Sequence, residues 1–329
     1  MISRRLALTL TLAILLVPLA AGAEQPGKVW RIGYMSIPSR KSAEDLIQIF
    51  LEALREHGWL ERQNLLIEWR WAEGKLDRLP DFAAELVRLN VDLIVAPQTF
   101  SALAAKNATR TIPIVFMFPW DPVAEGLVAS LARPGGNATG LTLIPTLGIL
   151  GKQLELLKET VPKASRVAVL RNAASAPVQA PALSEVERAA RSLGVQLQVL
   201  GVQGPEDFER AFEAMTRERA NALFVLPDSM LWLHRQRLAH LAATHRLPSM
   251  HSYEEHVQSG GLMAYGVNLG WHMRRAAFYI DRILKGTKPA DLPVEQPTKF
   301  EFIINLKTAK QIGVIIPPNV LARADKVIK

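Results

Sequence analysis

The chain has 329 residues, 49% of them hydrophobic and 21% charged, with 20 Gly, 21 Pro and no Cys. This composition excludes a disordered or fibrous chain, and the length allows two domains with a core each. The missing cysteine excludes a disulfide framework, a thiolate zinc site, an iron–sulfur cluster, a Cys nucleophile and a lipid-modified Cys. The formal charge of +8 is spread among interleaved acids, as in Lys152-Gln153-Leu154-Glu155, and forms no patch for nucleic acid.

Arg4 and Arg5, the uncharged run 6–21 and the small residues Ala21-Gly22-Ala23 have the order of a secretory signal peptide. Residues 1–23 are therefore expected to be removed, leaving Glu24 first, a formal charge of +6 and a periplasmic protein. A membrane anchor is the alternative reading, but the run falls short of the roughly 20 residues a span needs and contains Pro18. Ser3-Arg4-Arg5 hints at the twin-arginine route, which the residues after it fit poorly.

The rest of the chain alternates short apolar runs with amphipathic stretches. Residues 31–36 read as a strand, and 42–56 as a helix with Leu46, Ile49, Phe50 and Leu54 on one face, stopped by Gly58. A strand is expected over 65–72, a helix over 77–89, a strand over 92–96, a helix over 100–108 and a strand over 113–118. Residues 133–140, Arg-Pro-Gly-Gly-Asn-Ala-Thr-Gly, interrupt this rhythm as a boundary or crossing loop.

The rhythm then restarts. Helices are expected over 152–161, 184–193, 205–217, 231–245 and 269–284, and strands over 166–170, 196–202, 222–226, 262–265 and 300–304. Continuous Val/Ile/Leu strands between helices are covered on both faces, which means parallel sheets. The chain thus reads as α/β, with two doubly wound parallel-sheet bodies in succession.

Catalytic motifs are absent. No G-x-S-x-G elbow occurs, and Gly135-Gly136 with Gly140 matches neither a dinucleotide fingerprint nor a phosphate loop. Six of the seven histidines lie between His234 and His272, at gaps of 6, 5, 6, 5 and 16 residues. Ligands sharing a helix face need gaps of three or four, so these read as surface and core histidines rather than a metal site. No metal and no cofactor are expected.

Ligands of open parallel sheets bind beyond the carboxyl ends of the strands. Residues at those ends are Met35 and Ser36, Gln98 and Thr99, then Phe118, Trp120 and Asp121. In the second series they are Asn172, Asp228 and Ser229, Tyr253 and Tyr265. Asp121 and Asp228 are equally suited to capping helix starts. The aromatic residues are equally suited to the core. As a set they fit a small polar molecule with a flat apolar part. Aromatics stack on it, hydroxyls and helix-start N–H groups hold a carboxylate, and Asp holds an ammonium.

Several stretches carry a family resemblance. They are Arg31-Ile32-Gly33-Tyr34, Gly58–Leu65 (GWLERQNL), Glu68–Gly74 (EWRWAEG) and Ile112–Phe116 followed by Asp121-Pro122-Val123. Gly126–Gly140 (GLVASLARPGGNATG), Ile283-Leu284-Lys285-Gly286, Pro289–Phe300 (PADLPVEQPTKF) and Ile304–Ala309 (INLKTA) complete them. Over nearly the whole mature length the chain resembles the substrate-binding proteins of ABC transporters, including the tryptophan/tyrosine type. Phe100, Trp271 and His272 depart from the family pattern, and Phe100 and Trp120 are bulky residues beside the expected cleft.

The resemblance implies a type I periplasmic-binding-protein fold, with residues 28–143 and 266–289 in one lobe and 144–265 and 290–329 in the other. Crossings are expected near 140–146, 262–268 and 289–299. It further implies a monomeric importer component that closes on a small, amino-acid-like solute, aromatic or branched amino acids being the first candidates, and docks on an inner-membrane ABC permease. It is not an enzyme on this reading. Two alternatives stand beside it: a periplasmic hydrolase or lyase on a two-lobe scaffold, and a ligand sensor serving a membrane receptor.

Overall fold

The computed structural model describes residues 28–143 and 148–329. The expected signal peptide, and residues 144–146 of the first expected crossing, lie outside the described residues. Two sheets carry the fold. The first contains β1 (Trp30–Ser36), β2 (Leu65–Trp71), β3 (Leu93–Val95), β4 (Ile114–Phe116) and β5 (Ala138–Gly140) in the order β2-β1-β3-β4-β5. All its neighbours are parallel. Its connections include α1 (Glu44–Glu56), α2 (Leu79–Arg88) and α3 (Thr99–Ala108).

The chain then passes through α4 (Ile149–Thr160) into a second sheet. That sheet contains β6 (Arg166–Asn172), β7 (Gln196–Val202), β8 (Ala222–Val225), β9 (Ser249–His251), β10 (Met263–Gly266), β11 (Glu301–Asn305) and β12 (Lys326–Ile328). The order is β12-β11-β10-β9-β8-β6-β7, and only β10 and β11 run antiparallel. Its helices are α5 (Ala176–Leu193), α6 (Phe208–Arg217), α7 (Ser229–Leu233), α8 (Arg235–Thr244) and α9 (Glu254–Gln258).

The 16-residue α10 (Leu269–Leu284) leaves the second sheet and returns to the first. There Met273, Ala276, Ile280 and Leu284 share a buried cluster with Ile47, Phe50 and Leu54 of α1. After α10, residues 292–295 run along β5: Thr139 Oγ1 donates to the Leu292 carbonyl at 2.6 Å and Glu295 N to that of Gly140 at 3.0 Å. Val294 lies in a first-sheet core cluster. This segment thus travels with the first sheet, past the boundary at 289 read from sequence. β11, α11 (Leu306–Ile312), α12 (Pro318–Leu321) and β12 then complete the second sheet.

Several expectations are corrected. Residues 138–140 form a strand rather than only a loop, because Gly140 allows the backbone to lie against Phe116. α5 begins eight residues early and carries Pro181 inside it, where proline would ordinarily end a helix. The helix expected over 231–245 breaks at His234, whose φ of −100° and ψ of 20° leave the helical region. β9, α11, α12 and β12 had no reading from the sequence.

Candidate functional site

The carboxyl ends of β1, β3 and β4 face those of β6, β8 and β9 across a cavity of about 180 Å³. One water needs only about 10–15 Å³, so the space suits an organic molecule. From the first sheet, Ser36, Gln98, Thr99, Phe118 and Trp120 line it. Gln98 is the N-cap of α3 and forms a reciprocal capping box with Ser101. Its amide Nε2 donates to Ser36 Oγ at 3.1 Å, which fixes the end of β1 against the start of α3. The N-terminal turn of α3 therefore points its dipole at the cavity mouth.

From the second sheet, Asn172, Asp228, Ser229 and Tyr253 line the cavity. Asp228 is the N-cap of α7. Its Oδ1 accepts from Met230 N at 2.8 Å, Leu231 N at 3.3 Å and Asn172 Nδ2 at 3.0 Å. Its Oδ2 accepts from Ser175 Oγ at 2.7 Å. Capping and a place in the cavity wall thus coincide in one residue. Among the described residues, Asp228 is the single charged side chain in that wall. Burial pushes the phenols of Tyr34 and Tyr253 up, so both stay neutral hydroxyls; Glu255 and then Asp228 add to the effect at Tyr253.

Three residues expected at the site do not line it. Met35 points to the opposite face of β1 from Tyr34 and Ser36, by strand alternation, and packs in the core with Leu86 and Ile94. Asp121 is exposed and closes its own loop, its Oδ1 accepting from Val123 N at 3.1 Å and Ala124 N at 3.0 Å. Tyr265 packs between Phe300 and Phe302, at ring distances of 6.0 and 6.3 Å.

Other lining residues carried weaker signals. Tyr34 shares the face of Ser36 two residues earlier, and period-two counting finds it. Ser175, the N-cap of α5, and Gln179, in the helix itself, both precede Pro181, which concealed this start of α5. Gln179 is 2% exposed, donates to the Pro227 carbonyl at 3.1 Å, and has no partner for its Oε1. Trp232 looks like a core residue in sequence. It follows the second sheet's β8, yet Trp232 and Tyr253 both pack into the first sheet's cluster.

Among the described residues, no group of three or more His, Asp or Glu side chains is placed to hold a metal ion. His251 and His256 stack at 4.7 Å in the interior, and burial holds both below the usual imidazole range.

Two parallel-sheet lobes, joined by crossing segments around a cavity lined from both, make up the type I periplasmic-binding-protein fold. Residues 31–328 match the ABC transporter substrate binding protein family, and the chain belongs to it. It is 28% identical over 283 residues to the tyrosine-binding protein of Clostridioides difficile strain R20291, covering 85% of this chain and 80% of that protein.

Two solved structures are each 25% identical to the chain. One, from Streptococcus pneumonia in complex with L-Trp, superposes with a TM-score of 0.83 over 91% of this chain and 99% of that one. The other is the ligand-free, open structure of a Clostridium difficile substrate-binding protein with adhesive properties. It superposes with a TM-score of 0.66 over 92% of this chain and 100% of that one.

Proposed function

We propose that the chain is the periplasmic solute-binding component of an ABC importer, exported through a cleaved signal peptide, and that it closes its lobes as a monomer on an amino acid with an aromatic side chain. The closed complex then docks on an inner-membrane permease. The observation that carries the ligand class is the lone carboxylate of Asp228 in a cavity wall otherwise built of apolar, aromatic, hydroxyl and amide groups. An ammonium is its complement.

The ligand carboxylate sits at Ser36, Gln98, Thr99 and the start of α3, where N–H groups and hydroxyls offset its charge. Phe118, Trp120 and Tyr253 supply the walls for a flat side chain. Relatives named for tyrosine and bound to L-Trp support the aromatic class. Hinge closure is supported by the better superposition on the L-Trp complex than on the open structure at equal identity. Ligand favours the closed state through contacts that need both lobes at once.

Calorimetry with L-tryptophan and L-tyrosine tests this. Asp228→Ala is expected to weaken binding by about 2–5 kcal/mol as a lost desolvated charge partner. Asp228→Asn keeps an acceptor for α7 and separates loss of the cap from loss of the charge. Equal wild-type affinity for L-tryptophan and indole-3-propionate, which lacks the amine, rejects the assignment. Recovery of the ligand intact after long incubation distinguishes binding from the hydrolase or lyase alternative.

A further inference from the structure

Arg235 opens α8 directly after the break at His234. Its Nη1 donates to the Trp232 carbonyl at 3.2 Å, and its Nη2 donates to the Ser42 carbonyl at 3.3 Å. Its guanidinium carbon lies 4.2 Å from the centre of the Trp232 ring. Ser42 precedes α1 on the first lobe, whereas Trp232 lies on α7 of the second. One planar group thus holds a backbone carbonyl from each lobe and one wall of the cavity.

Asp45 of α1 and Glu255 of α9 are close enough to act on its charge, yet among the described residues neither forms an ion pair with it. Its Nε is enclosed without a hydrogen-bond partner. The guanidinium is therefore seated by two carbonyls and a ring, a three-point arrangement that exists only while the lobes are together. Lysine, a point donor on a flexible stem, reproduces one carbonyl contact but neither the fork nor the stack.

We propose that Arg235 is a positioning residue that clasps the two lobes and thereby couples closure to the seating of the Trp232 wall. This rests on the hinge-closure reading above. The clasp acts through Trp232 and the Ser42 backbone.

The full chain has no cysteine, so Arg88→Cys and Arg217→Cys, exposed positions on the two lobes, take a unique pair of spin labels. Interlobe distances are measured with and without L-tryptophan, and L-tryptophan dissociation is followed by stopped flow. Arg235→Ala is expected to shift the ligand-free and loaded distances longer. It should also speed dissociation roughly tenfold to hundredfold, the span of a lost charged hydrogen bond, with a smaller change in association.

Arg235→Lys, which keeps the charge and guards against a folding defect in the alanine variant, should recover only part of both effects. Wild-type distances and dissociation in Arg235→Ala, or full recovery in Arg235→Lys, overturn the clasp. If the wild type fails to bind L-tryptophan, the amino-acid reading falls instead. The ligand-free distances still decide the clasp, and identical distributions in wild type and Arg235→Ala reject it.

Discussion

Glu255 sits in the first turn of α9, with Oε2 enclosed and without a hydrogen-bond partner. Burial above all pushes its carboxyl up to about 7; the charges of Glu254 and Asp45 push the same way, while its own backbone N–H and Arg235 oppose them. An unfolded glutamate titrates near 4.5. Between these values the folded chain keeps a proton that the unfolded chain has released, so stability falls as pH rises through that window. Above it the ionised carboxylate is a penalty of up to roughly 3 kcal/mol, since one pKa unit is about 1.4 kcal/mol. Glu255→Gln should therefore raise the urea midpoint at pH 8 and barely change it at pH 4.5. An equal gain at both pH values would mean that ionisation is not the cause.

At the same scale, the site was legible where a residue's place in the chain sets its direction. Ser36, Gln98 and Asp228 each follow a buried run, and the strand-end rule puts all three in the cavity wall. The rule was blind to the parity that turns Met35 into the core and to the loop that turns Asp121 outward. Trp232 had no sequence signal that separates a cavity wall from a core position. Its role depends on the first lobe, whose contact with it spans nearly two hundred residues of chain.

At the scale of elements, continuous apolar runs marked β3, β6 and β8 because parallel strands are buried on both faces. β5 escaped notice because its strand is three residues long and ends in glycine. That glycine is required. Gly140 has φ +150°, and a Cβ there would lie 1.9 Å from the Phe116 carbonyl oxygen, a backbone atom that cannot yield cheaply. Gly140 also accepts the hydrogen bond from Glu295 N that ties the returning chain to the first sheet.

Gly140→Ala should therefore cost at least about 2–3 kcal/mol of unfolding free energy, the range of overpacking against fixed atoms. Gly136→Ala, four residues earlier with nothing within 4 Å of its added methyl, should stay within about 0.5 kcal/mol. Denaturant melts of the two variants check this, and similar losses in both would rule out the close approach to Phe116 as the cause.

At the scale of the whole molecule, two β–α series were readable from periodicity, but their interleaving was not, because α10 has the same amphipathic pattern whichever lobe it covers. The packing of Met273 and Ile280 against Ile47 and Phe50 decides that it covers the first. The lobes are thus linked at more than one place, so the proposed closure would bend the chain at the crossings. A ligand that touches only one lobe gains nothing from closure, whereas one that touches Asp228 and the start of α3 together gains from both.

L-tryptophan at a hundred times its dissociation constant should add about 2.7 kcal/mol to native stability and contract the protein in small-angle scattering. Indole, at a concentration giving the same occupancy, lacks the charged ends that reach both lobes. It should stabilise the fold by mass action but leave the open dimensions largely in place. Equal contraction by both compounds would place the drive for closure in the aromatic wall alone and remove Asp228 and the α3 terminus from it.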